Sequence, residues 1–181
     1  LRQYANELRG KIKGNKITYV SNRNINYTNM CIYSCSFCAF SKSTGAKSLR
    51  GKYYNISLDE IQRRVLEAIS RCANEVCLQG GIHPKFDEIT YIDIVKSIRD
   101  VSDTIHIHAF SPLEISHGAN CANTDVKSYL LKLKEAGLNS LPGTAAEILD
   151  DNVREVICPD KINTNEWLNV IKAAHSIGLP T

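Results

Sequence analysis

Short apolar stretches alternate with amphipathic helical ones along nearly the whole chain, and few folds accommodate that alternation. A first helix is predicted over 4–12, with Tyr4, Leu8 and Ile12 on one face. Ser57-Leu58-Asp59-Glu60 reads as a capping box, in which Ser57 accepts from the third residue and Glu60 reaches back. Behind it Leu58, Ile61, Val65, Ile69 and Cys72 recur at helical spacing. A strand is predicted over 75–79 and stopped by Gly80-Gly81, then a helix over 89–99 and a strand over 104–110. The helix over 126–136 carries Val126, Tyr129, Leu130 and Leu133 on one face, and Gly137 stands as its C-terminal cap. A short strand at 138–141 follows. Thr144-Ala145-Ala146-Glu147, a second capping box, is expected to open another helix, and Gly178 closes a last one over 165–177.

Strands separated by helices of this length imply a parallel sheet with right-handed crossovers. About four βα units are present, enough for half to two thirds of a barrel. The expectation is one α/β domain over residues 1–181, a partial βα barrel of TIM type truncated at its C-terminus. An open flavodoxin-like sheet is the alternative. In the strand over 104–110, Ile105, Ile107 and Ala109 share one face, and His106, His108 and Phe110 the other. An open parallel sheet is covered by helices on both faces and wants both apolar. Two histidines on one face suit a barrel interior that holds a polar substrate, with His108 nearer the chemistry. The competing reading is a pair of hydrogen-bonded core histidines. The chain lacks an initiator Met and ends at Leu179-Pro180-Thr181 as a strand begins, so a piece of a longer protein is expected.

With 43% apolar and 23% charged residues and a net charge of +3, the composition carries no mandate for nucleic acid or membrane. Seven cysteines is an odd number, and they are not spaced as a disulfide scaffold, which points to a reducing compartment and the cytoplasm. Metal chemistry then becomes the question. Cys31, Cys35 and Cys38 fall within eight residues, with gaps of three and two. Such spacing can wrap three corners of a cubane cluster, for which thiolates are the usual ligands. No nearby cysteine supplies a fourth ligand. One iron then stays open to the amino and carboxylate groups of a methionine moiety, placing a sulfonium beside the cluster for one-electron cleavage. The alternative is a structural zinc ion, which takes four ligands. His83 or Cys72 would have to complete it, and nothing marks either.

Cys31-x-x-x-Cys35-x-Phe37-Cys38 resembles the signature of the radical S-adenosylmethionine superfamily. The resemblance implies a partial or full βα barrel with a 4Fe–4S cluster on Cys31, Cys35 and Cys38, in a loop after the first strand, here 25–29. It also implies a glycine turn after the second strand that meets S-adenosylmethionine. Gln79, Gly80 and Gly81 stand there, with Phe37 beside the third cysteine, and these four are the expected cofactor-binding residues. A side chain at position 81 is expected to weaken cofactor binding and spare the cluster.

The likeness extends to one branch. It is carried by Asn22-Arg23-Asn24-Ile25-Asn26-Tyr27-Thr28-Asn29, Cys38-Ala39-Phe40, Gln79-Gly80-Gly81-Ile82-His83-Pro84 and His108-Ala109-Phe110-Ser111-Pro112. This branch holds the tyrosine-using subunit of deazaflavin-precursor synthase and two menaquinone-pathway enzymes acting on futalosine compounds. The run from Leu141 to Asp151 is most similar to the tyrosine-using kind. That implies transfer of the hydroxybenzyl group of L-tyrosine to 5-amino-6-(D-ribitylamino)uracil: hydrogen is taken from the tyrosine amine, the Cα–Cβ bond breaks, and the fragment adds to the uracil. A companion radical enzyme would complete the deazaflavin ring, and ferredoxin or flavodoxin would donate electrons. A futalosine-type substrate is the alternative.

His108, His83 and Glu114, at or beyond strand ends, are the catalytic candidates, because active sites sit at that rim of a barrel. The competing reading of Glu114 is that it only caps a helix. Tyr33, Phe37 and Phe40 flank the cysteines and can shield them. Asn24, Asn26 and Thr28 can face inward. Cys72, Cys77, Cys121 and Cys158 read as packing residues. Lys42, Lys47, Arg50 and Lys52 read as a solvated basic stretch.

Overall fold

A computed structural model of the chain describes residues 1–41 and 52–181; Lys42, Lys47 and Arg50 lie outside the described residues. The elements in order are α1 (Arg2–Lys13), β1 (Asn22–Asn26), α2 (Leu58–Ser70), β2 (Glu75–Gln79), α3 (Glu88–Val101), β3 (His106–Ala109), α4 (Pro112–Cys121), α5 (Val126–Ala136), α6 (Asp151–Ile157) and α7 (Thr164–Ser176). The three strands form one parallel sheet in the order β1-β2-β3. Asn24 pairs with Cys77 and Cys77 with His108, so the strand ends that carry the site lie level.

The two sheet faces differ sharply. Ile25, Val76, Leu78, Ile107 and Ala109 are fully buried. They pack into one core with Ile61 and Val65 of α2, Tyr91, Val95 and Ile98 of α3, and Leu130 and Leu133 of α5. Alternation puts Asn24, Asn26, Glu75, Cys77, Gln79, His106 and His108 on the other face, none of them buried. One face covered by helices and one lined by polar groups is the arrangement of a barrel wall, as the histidine pattern predicted. Phe110 breaks the alternation: it is buried, with φ 67°, and leaves the face expected from its position. His106 Nε2 and His108 Nδ1 both reach Ser140 Oγ, at 2.7 and 2.6 Å.

Several elements depart from their sequence pattern. β1 lies three residues earlier than expected, and Thr28 forms only an isolated bridge to Asn55. The fourth strand is reduced to a single parallel bridge between His108 and Ser140. Leu141 N–H donates to Pro180 O at 3.0 Å, continuing the layer. Ser57 does accept from Glu60 N–H, but the Glu60 carboxylate binds Arg63 and Arg64 instead of reaching back. No helix opens at Thr144-Ala145-Ala146-Glu147; α6 starts at Asp151, capped by Asp150. The reason is Arg154, 3% exposed, whose guanidinium donates to the carbonyls of Ala146, Ile148 and Ile162 at 2.6, 3.1 and 2.7 Å. Those carbonyls are drawn to a cation and are lost to a helical ladder. α4 lacks an apolar stripe and goes unpredicted, although Ser111-Pro112-Leu113-Glu114 is a full capping box with Pro in its first turn.

Candidate active site

At the C-terminal ends of the strands lies a cavity of about 400 Å³, within the usual range for small-molecule sites. It is lined by Cys31, Tyr33, Cys35, Phe37, Cys38 and Phe40 of the cysteine loop, by Gln79, Gly80 and Gly81 after β2, and by Thr144, Ala145, Glu147 and Lys161. The cysteine loop hangs from the ends of β1 and β2. Gly81 N–H donates to Thr28 O at 3.0 Å, Ile32 N–H to Ile82 O at 2.9 Å, and Ile82 N–H to Cys31 Sγ at 3.3 Å. Further along, Ser41 N–H donates to Cys38 Sγ at 3.3 Å, and Ser36 N–H to Ile157 O at the end of α6, at 2.9 Å. Two of the three sulfurs thus accept backbone amides. Burial pushes the Cys35 thiol pKa up, and Lys161 opposes it. Lys161 Nζ sits 5.4 Å over the Phe37 ring and donates to Glu147 Oε1 at 2.8 Å.

The glycine pair is needed for close approach and not for backbone freedom, since neither residue has positive φ. A Cβ on Gly80 would lie 2.6 Å from the Tyr27 ring. A Cβ on Gly81 would lie 2.2 Å from Met30 O and 2.9 Å from Cys31 Cβ. This overturns the expectation that a side chain at 81 spares the cluster loop, because that loop is what it would strike.

Glu114, 1% exposed, lines the cavity from the first turn of α4. Its Oε1 accepts from Tyr27 Oη–H and, at 3.1 Å, from Gly80 N–H. Its Oε2 accepts from Ser111 N–H at 2.7 Å and Ser111 Oγ–H at 2.6 Å. Burial pushes its carboxyl pKa up, against the pull of these bonds.

His83 and His108 are not brought to the cavity. His83 stacks on Phe86 at 4.8 Å, and its Nδ1 accepts Lys85 N–H. His108 lies one layer down the inner face, and burial lowers its pKa. Asn26 lines the cavity, whereas Thr28 is buried and donates to Tyr54 O. Glu147, Lys161 and Ser111 were missed as cavity residues. Ser111 was legible in its capping box; Lys161 has no local signal.

Among the described residues, no three His, Cys, Asp or Glu side chains converge tightly enough to hold one ion. Three sulfurs spread along one rim, two with amide donors, beside a backbone cradle that a Cβ would fill, suit a multi-iron cluster, in which each thiolate serves a different iron. A closed four-ligand zinc site needs convergence instead.

Residues 25–181 match the Radical SAM superfamily. The chain is 49% identical over 177 residues to the 5-amino-6-(D-ribitylamino)uracil–L-tyrosine 4-hydroxyphenyl transferase of Archaeoglobus fulgidus, an alignment covering 98% of this chain and 49% of that protein. It is 48% identical over 182 residues to the transferase of the same name from Methanocaldococcus jannaschii, covering 99% of this chain and 50% of that one. The chain therefore spans about half the length of the curated relatives it matches. Among solved structures, methylornithine synthase (PylB) superposes with a TM-score of 0.69 at 18% identity, over 96% of this chain and 46% of that one. The FeFe-hydrogenase maturase HydG from Carboxydothermus hydrogenoformans does so with a TM-score of 0.69 at 20% identity, over 97% and 38%. Identities this low bear on the fold alone, and there they agree with the partial barrel.

Proposed function

The chain belongs to the Radical SAM superfamily, and on that premise we propose that it forms the cluster-bearing part of a transferase joining the 4-hydroxybenzyl group of L-tyrosine to 5-amino-6-(D-ribitylamino)uracil. The observation that carries the substrate choice is the near-50% identity to two transferases of that name, over almost the whole chain. A 4Fe–4S cluster with S-adenosylmethionine supplies one-electron carbon–sulfur cleavage and a radical able to abstract hydrogen.

The chain's own residues do the rest. Cys31, Cys35 and Cys38 hold the cluster, and the amides of Ile82 and Ser41 donate to two of the sulfurs, the kind of contact that tunes a cluster's potential. Gln79, Gly80 and Gly81 present the backbone edge that seats the cofactor. Tyr33, Phe37 and Phe40 keep water from the rim. His108 faces the interior with Nδ1 engaged by Ser140. Its place one layer below the cavity gives it a role in the interior wall, held to Ser140. A companion radical enzyme and a ferredoxin or flavodoxin donor follow from the same reading. The test is anaerobic turnover of the whole protein with tyrosine and the ribityl uracil, run beside futalosine substrates. A coupled hydroxybenzyl product in the first mixture alone is expected; turnover of futalosine compounds alone would overturn the assignment.

A further inference from the structure

The Glu114 carboxylate makes the densest polar contact in the cavity wall. Four donors come to it from three places: Tyr27 just past β1, Gly80 just past β2, and Ser111 just past β3. A carboxylate offers about four lone-pair sites, so neither oxygen is left to take a proton from a substrate. Its position in the first turn of α4 adds the favourable helix dipole. Gly80 is also hemmed in by the Tyr27 ring, which Glu114 holds by its hydroxyl. The turn is thus fixed from two sides by one side chain.

We infer that Glu114 is a positioning residue: its buried carboxylate ties three strand ends together and sets the shape of the Gly80-Gly81 turn for S-adenosylmethionine. This rests on the proposed cofactor role of that turn. A catalytic acid or base at the same place would need a free oxygen toward the cavity, and the four donors leave none.

Glu114→Gln keeps the size but only one acceptor, so its NH₂ is set against a backbone donor, Gly80 N–H or Ser111 N–H, and the knot about the turn loosens either way. Glu114→Asp keeps the charge at the start of α4 and withdraws it by one methylene from Gly80. Both are made in the whole protein, with iron content measured after anaerobic reconstitution. Amide exchange at Gly80–Ile82 is read without cofactor, and S-adenosylmethionine affinity by calorimetry. We expect full iron, exchange at the turn faster by about tenfold, and affinity weaker by about tenfold, the scale of one hydrogen bond to a charged acceptor. KM for S-adenosylmethionine should rise while kcat at saturation holds. If the Gln variant does not fold, the Asp variant decides alone. Wild-type exchange at the turn in a folded variant would sink the inference. Unchanged turn protection with a collapsed kcat would also overturn it, in favour of acid–base chemistry. Faster exchange with unchanged affinity would instead remove the turn from the cofactor site, so the two failures are separable.

Discussion

Gly81→Ala is the sharpest probe of how the cysteine loop is built. The new Cβ would stand 2.2 Å from Met30 O, 2.8 Å from Met30 C and 2.9 Å from Cys31 Cβ. All three belong to the chain carrying the cysteines, and two are backbone, so no rotamer change relieves the clash. The loop must move away from β2 by about 1 Å to restore ordinary contact. Overpacking of this kind costs about 1–3 kcal/mol, and stretching the Gly81–Thr28 or Ile82–Cys31 contact adds about 1 kcal/mol. Replacing a glycine that does not need positive φ returns about 0.4–1 kcal/mol through the unfolded chain. The net expectation is roughly 1–3 kcal/mol of destabilisation, with loss of iron because Cys31 is displaced. Gly143→Ala is the control, since its nearest neighbour would be Trp167 Cζ2 at 4.0 Å. Urea unfolding and iron analysis under anaerobic conditions measure both effects. A Gly81→Ala protein with wild-type stability and full iron would show that the loop yields freely, and the close-approach argument would be wrong.

Replacing Cys31, Cys35 or Cys38 with Ala should abolish iron binding and S-adenosylmethionine cleavage, while Cys72, Cys77, Cys121 or Cys158→Ala should keep the visible spectrum of the cluster. His108 has its folded pKa lowered by burial, so the unfolded chain binds its proton more readily. Its contribution is complete above the ordinary histidine pKa near 6.5 and falls as pH drops below it; His108→Gln should flatten the melting temperature between pH 5 and 7. Arg154→Lys should lower stability by about 2–4 kcal/mol, because a compact ammonium, despite its three donors, cannot span carbonyls spaced to the two guanidinium nitrogens; calorimetric melting checks it, and a loss under 0.5 kcal/mol would refute it.

What could be read from the sequence follows the range of the forces involved. β2 and α5 appear at their predicted bounds because their apolar periodicity is local and agrees with the core they meet. Gly137, in the left-handed conformation with φ 116°, ends α5 as its position predicts. The cysteine spacing points to the cavity rim because all three ligand candidates lie on one short loop. The helix at Thr144 fails because a cation from ten residues away takes its carbonyls, with Ala145 and Glu147 at φ 61° and 45°. Glu147 resembles a reciprocal cap in sequence, but its carboxylate is claimed by Lys161. Neither partner belongs to the four-residue capping pattern that predicts the helix: Arg154 lies eight residues past Ala146 and Lys161 fourteen past Glu147.

The same division explains how the cavity is assembled. The outer face of the sheet is built from side chains whose burial is its own reward, at about 25 cal/mol per Å², and alternation alone specifies it. The cavity has less of that drive, because much of its lining, Phe37 and Phe40 included, stays open to solvent. Each of its segments is held by something distant instead. The cysteine loop is laced to β2 and to the end of α6, the glycine turn is fixed by Glu114 and Tyr27, and the segment around Ala146 is fixed by Arg154. Buried polar groups paired this extensively specify one arrangement, since losing partners leaves desolvated donors or acceptors, as Arg154 Nε already is. A site that must seat a cluster and a cofactor against one another gains its precision from these ties, and they are the part of the structure that no single stretch of sequence declares.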